Sequence, residues 1–490
     1  MVWIEVNERI ELELLERIDR QVVPYTIEGI TKETEHSRNT VRKYLEMLET
    51  QINTYFDPED IMLKVNNQKI DYFRSRNFCV QRVVLSILEE NLTMNLVEQF
   101  LFDEFVSLEQ FCQEHYVSHS SMRRKLKKVN EFLKTKQLRI SLVERTVIGR
   151  EEDVRHFYYQ LYWSVFRGVK WPFPHIDRDS ILQAIDTIEK KLSLSFRPSA
   201  KEKFAYFYAI SAIRRKQGHT VRLEIAISEF MKTNPFYKPL KEVIGQLYLG
   251  KQILVNESEL LSVLIVLQVT PGIEDKISPW NSVLLQHREQ NTSMYQVSQF
   301  WIHSFEHFFD LSFPEENKDE ILQKLIRCHY RTYLLRHDID FIPHYKYSDE
   351  LRDTLPIFNR QLEEFFTFLQ KSPYKETFIN KEFLFPRYAL IALKHLNLVE
   401  KEKQIVLAIE TDSSKVFEDL IKEKIVISFG GQYDFKYVKS SEPHDLLIAN
   451  YPLEGADPEK TIYIRSEINT RDWLILGEEF AALIKRKQKK

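Results

Sequence analysis

Two stretches of this 490-residue chain hold side chains suited to gripping a polyanion. Between Ser118 and Arg139 stand eight basic residues (Arg123, Arg124, Lys125, Lys127, Lys128, Lys134, Lys136 and Arg139) against one acid, Glu131. Met122, Leu126, Val129 and Leu133 recur there at helical spacing, so this stripe turns inward and Arg123, Arg124, Lys127 and Lys128 turn outward. His119 and Ser120, in the first turn, are counted with that outer face. A helix about 12 Å wide fits the major groove of duplex DNA, where cations meet phosphates or guanine edges. The bland alternative for any charge run is a solvated helix face. A short helix before this one and the alternating run LRISLVERTVIG after it favour groove binding.

The second stretch runs from Ser37 to Leu48. Val41, Tyr44, Leu45 and Leu48 face inward, leaving Arg38, Asn39, Thr40, Arg42 and Lys43 on the exposed side of a predicted recognition helix. Arginine reads guanine and asparagine reads adenine, each through paired hydrogen bonds. Glu33, Glu35, Glu46 and Glu49 flank it, so its net charge is weak.

Histidines offer a different chemistry, phosphoryl acceptance, which needs a neutral and reachable ring nitrogen. His219, in RRKQGHTVR, stands beside Arg214, Arg215 and Arg222, where an added phosphate would find partners. His329 is read as lying mid-helix near Arg327 and Arg331, and His175 precedes a helix in PFPHIDRD. His337 falls in the same region. His303 and His307 are four apart, which is metal-ligand spacing, but HSFEH lacks the H-E-x-x-H order and reads as a packed aromatic helix. No metal or other cofactor is expected. G-x-S-x-G, Walker and GxGxxG motifs are absent, and the chain is not read as an enzyme.

The elements that position these residues follow from period and punctuation. Hydrophobic residues make up 43% and charged residues 29%, which suits packed domains, and 490 residues imply several. Only 11 glycines argue against phosphate loops and all-β folds. The net charge of −3 excludes a uniform basic coat, so any nucleic-acid site is a local concentration. Three scattered cysteines fit a reducing compartment. With no apolar run of membrane length and an acidic, amphipathic start, a cytoplasmic protein without a membrane partner is expected.

Thr26 and Ser37 are placed to cap two short helices, and residues 53–64 read as a short strand pair. The region 151–395 is helical by period and rich in aromatic clusters, broken by prolines. Near the end, KQIVLAIE and KIVISFGG read as strands around the helix SSKVFEDLIKEK. HDLLIANYP and KTIYIRS add strands, and TRDWLILGEEFAALIKRK closes as a helix. Strands separated by helices imply a small parallel sheet.

TKETEHSRNTVRKYLEMLE, SHSSMRRKLKKVNEFLK and the join VIGREEDVRHFYYQLYW resemble the Mga/AtxA family of regulators of Gram-positive bacteria, in pattern more than identity and over essentially the whole chain. The resemblance implies a mainly α, multidomain fold. Two winged helix-turn-helix domains would occupy 1–65 and 66–155. Two helical PRD-like regulatory domains would occupy 160–288 and 289–396, and a small α/β domain like phosphotransferase IIB would occupy 400–490. It implies double-stranded promoter DNA, a phosphodonor such as HPr acting on His219, His329 or His175, and a homo-oligomer as partners. The IIB-like stretch AIETDSSKVF lacks the cysteine that its catalytic relatives phosphorylate. Thr411, Ser413 and Ser414 are read as capping the next helix instead. Two rivals stand beside a DNA-binding regulator. An RNA antiterminator would carry a small β-rich RNA-binding domain before its regulatory domains. A phosphotransferase relay would need the missing cysteine.

Overall fold

The computed structural model describes residues 3–20, 25–66, 69–249, 256–270, 273–275, 279–334, 355–396, 403–430, 432–466 and 468–488. The chain divides into two compact units, Met1–Gln296 with Gln323–His344, and Val297–Leu322 with Tyr345–Lys490.

The first unit opens with α1 (Val6–Arg20), whose Ile10, Leu14, Leu15 and Ile18 are buried. Next come β1 (Tyr25–Thr26), α2 (Ile27–Glu33), α3 (Arg38–Tyr55) and the strands β2 (Ile61–Val65) and β3 (Lys69–Arg74). The side chain of Thr26 accepts from the Gly29 amide at 3.0 Å and that of Ser37 from the Thr40 amide at 3.2 Å, the N-terminal capping expected of these residues. The strands form an antiparallel sheet in the order β1-β3-β2, with Val65 opposite Ile70. The strand pair expected at 53–64 lies further on. Residues 53–55 complete α3, because Ile52 is fully buried on its inner stripe and carries the helix past that point.

The same grammar recurs in α4 (Gln81–Leu88), α5 (Leu92–Phe102), α6 (Leu108–Glu114), α7 (His119–Lys134) and the antiparallel hairpin β4 (Arg139–Ser141) and β5 (Thr146–Ile148). Then follow α8 (Glu151–Phe166), α9 (Arg178–Leu192), β6 (Leu194–Phe196), α10 (Pro198–Lys216), α11 (Ile225–Lys232), α12 (Tyr237–Leu249), α13 (Glu257–Val269), β7 (Ile273–Asp275) and α14 (Pro279–Glu289). Helical period alone does not reveal β6 and β7, which pair antiparallel across nearly eighty intervening residues, Leu194 with Asp275. Pro198 sits at the start of α10, where its missing N–H costs nothing.

Next in the chain are α15 (Ser293–Phe309), α16 (Lys318–Leu334), α17 (Pro356–Leu369) and α18 (Lys381–His395). In the second unit Trp301, Phe305, Phe365 and Tyr388 form an aromatic core, with ring centroids of Trp301 and Tyr388 4.8 Å apart.

The C-terminal segment holds β8 (Gln404–Glu410), α19 (Lys415–Phe429), β9 (Asp434–Val438), β10 (Leu446–Ala449), β11 (Thr461–Tyr463) and α20 (Thr470–Gln488). Its strands form the expected parallel sheet, ordered β11-β10-β8-β9. Ile405, Leu407, Ile421, Ile425, Leu476 and Phe480 are buried in its core. Of the run KIVISFGG, residues Lys424–Phe429 are not a strand. Their β-branched run continues α19, since Ile421 and Ile425 bury at i and i+4, and Lys415, Glu418 and Lys422 form ion pairs along the helix. Tertiary burial overrides local β-propensity there. Ser414 occupies the N-cap of α19 but its side chain makes no capping bond, so the expected cap is one of position only. Among the described residues no helix is long and apolar enough to cross a membrane.

Candidate nucleic-acid interface

The α6–α7 pair is built by local rules. Ser107 caps α6, its hydroxyl accepting from the Gln110 amide at 3.1 Å. Tyr116 takes a left-handed φ of 52° in the turn, and the Val117 amide donates to the Cys112 carbonyl at 3.0 Å. Ser118 then starts α7, accepting from the Ser121 amide at 3.2 Å. Met122, Leu126, Val129 and Leu133 are buried as their spacing requires. Each contributes roughly 1.5–3 kcal/mol by leaving water, which fixes the rotation of the helix.

That rotation leaves His119, Ser120, Arg123, Arg124, Lys127 and Lys128 exposed. Arg123 reaches back 3.5 Å to His119 on the same helix. Among the described residues none of Arg123, Arg124, Lys127 and Lys128 has an ion-pair partner. Lys125, half-buried on the flank, is committed to Glu5. The outer face of α7 is therefore cationic and uncompensated.

A contact that the sequence reading missed holds the hairpin to this helix. Asn130 donates to the Ile140 carbonyl at 3.0 Å and accepts from the Ile140 amide at 2.7 Å. Its amide acts as one more strand residue against β4. Gly149 ends the hairpin in close quarters, where a Cβ would stand 2.5 Å from Leu138 Cδ2.

Helix α3 repeats the scaffold with different electrostatics. Arg38, Asn39 and Lys43 are exposed and Arg42 and Thr40 are half-exposed. Arg42 is paired with Glu46 at 3.3 Å, and Thr40 Oγ1 lies 2.9 Å from Ser37 Oγ in the cap. Asn53 donates to the Leu63 carbonyl on β2 at 3.1 Å, the counterpart of Asn130 on Ile140.

The histidines separate sharply. His175 is exposed in the turn before α9 and His219 is half-exposed after α10. The His219 imidazole is held below its ordinary pKa by desolvation, with Arg214 and Arg155 adding to it, so its neutral form is favoured. Arg214 is not available to a phosphate there. It is buried and saturated by Glu151 at 2.7 Å and by Thr146 Oγ1 at 2.9 Å. His329 corrects the sequence reading. It is fully buried, its pKa pushed down to about 3 by desolvation, so a phosphodonor has no path to it in this conformation. His287, which the sequence reading passed over, is buried as well, donating to or accepting from Thr292 Oγ1 at 2.7 Å, with its pKa lowered to about 4. His303 is exposed with Nδ1 2.8 Å from the Gln299 carbonyl, and His307 is exposed. No group of three or more metal-ligating residues occurs among the described residues. His337 lies outside the described residues.

A buried ionic network joins the hairpin to the helical region. Arg155 donates to both Glu259 oxygens at 2.7 and 2.8 Å, to Glu151 at 2.9 Å and to the His219 carbonyl at 3.1 Å. Through Glu151 and Arg214 it reaches Thr146 on β5. Charges this deeply buried persist because each is multiply bonded.

Residues 76–162, which contain α4–α7, the β4–β5 hairpin and most of α8, match the Mga helix-turn-helix domain. The chain is 21% identical over 475 residues to the capsule synthesis positive regulator AcpA of Bacillus anthracis, covering 92% of this chain and 95% of that protein. It is 22% identical over 481 residues to AcpB of the same organism, covering 94% and 96%. It is 25% identical over 262 residues to the anthrax toxin expression trans-acting positive regulator, also of B. anthracis, covering 53% of this chain and 54% of that one. The matched segment is thus a helix-turn-helix domain of the Mga type. Together the matches make the chain similar to regulators of the Mga and AtxA type, over nearly its whole length in two of them.

Proposed function

We propose that this chain is a transcription regulator that grips promoter DNA mainly through the outer face of α7, with α3 as a second and weaker contact. The observation that carries the reading is the set of exposed cations Arg123, Arg124, Lys127 and Lys128, without ion-pair partners among the described residues, on a helix whose rotation is fixed by burial. The names of these three relatives, each a positive regulator, support it. In this reading there are two winged helix-turn-helix domains; the first, expected at 1–65, runs on through β3 because β3 pairs with β2, the second takes up the rest of 66–155, and each holds an antiparallel hairpin clamped by an asparagine. Two such modules add their phosphate contacts, which gives tight and salt-dependent binding.

The helical region 160–396 is the regulatory part of this reading, two PRD-like domains that receive a phosphoryl group from HPr or a related donor. His219 and His175 are its accessible acceptors, since both reach solvent. A phosphate on His219 would not have Arg214 as a partner, since that guanidinium is committed to Glu151 and Thr146. The IIB-like segment 400–490 assembles copies of the chain. Val416 and Ile427, 77% and 76% exposed on α19, offer apolar surface for this. No catalytic step is assigned.

The test is binding of a labelled promoter duplex by the full chain over a salt series, with unlabelled duplex and hairpin RNA as competitors. Competition by duplex alone, and weaker binding with a flatter salt slope for Arg123→Ala/Arg124→Ala, is expected. Preferential competition by hairpin RNA would overturn the reading. Incubation with phosphorylated HPr is expected to leave acid-labile phosphate on His219 or His175 by mass spectrometry.

A further inference from the structure

A cavity of about 170 Å³ opens beside the joint between the β5 end of the helix-turn-helix domain and the helical region. Its walls are apolar: Phe207 from α10, Ile227 from α11, and Ile265 and Val266 from α13, all buried. A cavity of roughly 150 Å³ holds a benzene-sized body, so this one accommodates a small organic molecule.

Two polar groups of the lining are uncommitted. Ser262, in the middle of α13, is only 6% exposed, and its hydroxyl has no hydrogen-bond partner among the described residues. Arg222, from the loop before α11, is exposed and has neither an ion pair nor a hydrogen bond among the described residues. The remaining charges differ. Arg150 is 3.6 Å from Asp153 and 3.9 Å from Glu152, so Arg150 and Glu152 offset each other, and Glu224 is not free. The lining thus presents one unspent cation, one unspent hydroxyl and an apolar floor.

We propose that this cavity is an effector site for a small monocarboxylate with an apolar body. The carboxylate takes the Arg222 guanidinium and the Ser262 hydroxyl, and the body lies against Phe207 and Ile265. Arg150 follows β5 after Gly149 and Glu151 beside it anchors Arg155 and Arg214, so an occupant of the cavity bears on the hairpin of the DNA-binding module. That effect rests on the DNA-binding reading. Ligand binding itself does not.

The experiment is calorimetric titration of the full chain with 4-methylpentanoate, 4-methylpentan-1-ol and leucine, repeated with Arg222→Gln and Ser262→Leu. Saturable binding of the acid is expected, at least about tenfold weaker for the alcohol and for Arg222→Gln, and abolished when Ser262→Leu fills the floor. Circular dichroism checks that each variant folds, and Arg222 is exposed enough that its change leaves folding intact. No saturable binding of the acid, binding indifferent to Arg222→Gln, or tighter binding of leucine would overturn the assignment. Duplex affinity is then measured with and without the acid. Binding of the acid without a change in duplex affinity would overturn the effector role and leave the site. Failure of the unliganded chain to bind any duplex would overturn the DNA reading, and calorimetry would still decide the cavity.

Discussion

Helices α3 and α7 are built alike and charged differently. Each begins on a serine cap, buries a stripe at helical spacing and clamps a following hairpin strand with an asparagine, Asn53 on Leu63 and Asn130 on Ile140. Yet α7 holds six basic residues to one acidic and α3 three to two. Arg42 on α3 is tied to Glu46, whereas the outer cations of α7 have no such partner among the described residues. The scaffold positions a helix, and the acids beside its cations decide how much charge remains for phosphate. In the proposed reading α7 accordingly supplies the larger share of the electrostatic binding and α3 a smaller, more selective one.

The largest expected effect comes from stripping α7. Replacing Arg123, Arg124, Lys127 and Lys128 with alanine lowers the salt slope of duplex binding by about 3–4, at roughly 0.9 per phosphate contact. Fluorescence anisotropy across a salt series reads this. Equal slopes for variant and parent would break the comparison. Replacing Arg38, Arg42 and Lys43 on α3 is expected to change the slope by less than about 2, because Arg42 is already compensated. A larger change there than on α7 would invert the ranking.

Asn130→Ala tests the scaffold rather than the charge. It leaves the Ile140 amide and carbonyl without their side-chain partner and is expected to destabilise the module by about 1–3 kcal/mol in urea unfolding. Asn53→Ala, which removes one bond rather than two, is expected to cost less. The smallest effect lies in α1, which packs on α3. Burial, with Glu8 nearby, raises the Glu11 carboxyl to about 7 from 4.5. The folded state therefore holds this proton more tightly than the unfolded one, and the associated stability is present below pH 4.5 and lost as pH rises through 7. Glu11→Gln keeps the neutral form, so it stabilises by about 1–2 kcal/mol at pH 8, solvent screening included, and by nothing near pH 4. Thermal unfolding at the two pH values measures the difference, and an equal shift at both would contradict it.

Much of the α7 face was legible because its rules are local. A serine before a periodic apolar stripe places both the start and the rotation of α7, and the outward cations follow. What was not legible depends on distant partners. Asn130 carries no periodic signal, since its role exists only once β4 lies alongside. Arg155 and Glu259 are separated by 104 residues, so nothing nearby announces that pair. Arg214 looked like a phosphate ligand beside His219 but is spent on Glu151, and His329 looked reachable among arginines but is sealed in the core. KIVISF has the composition of a strand, but Ile425 buries with Ile421 at i, i+4 against the sheet while Val426 and Ile427 stay exposed, a helical pattern set by a partner the local run does not contain. Charge on a helix face survives folding as read, whereas charge near a core is redistributed by partners the local sequence does not contain.

The most direct test of α7 as the main DNA-facing helix is lysine footprinting. The full chain is reductively methylated with and without saturating duplex and each lysine is quantified by mass spectrometry. Lys127 and Lys128 are expected to be strongly protected, Lys43 partly, and Lys415, paired with Glu418 on α19, not at all. Full reactivity of Lys127 and Lys128 in the saturated complex would contradict the account.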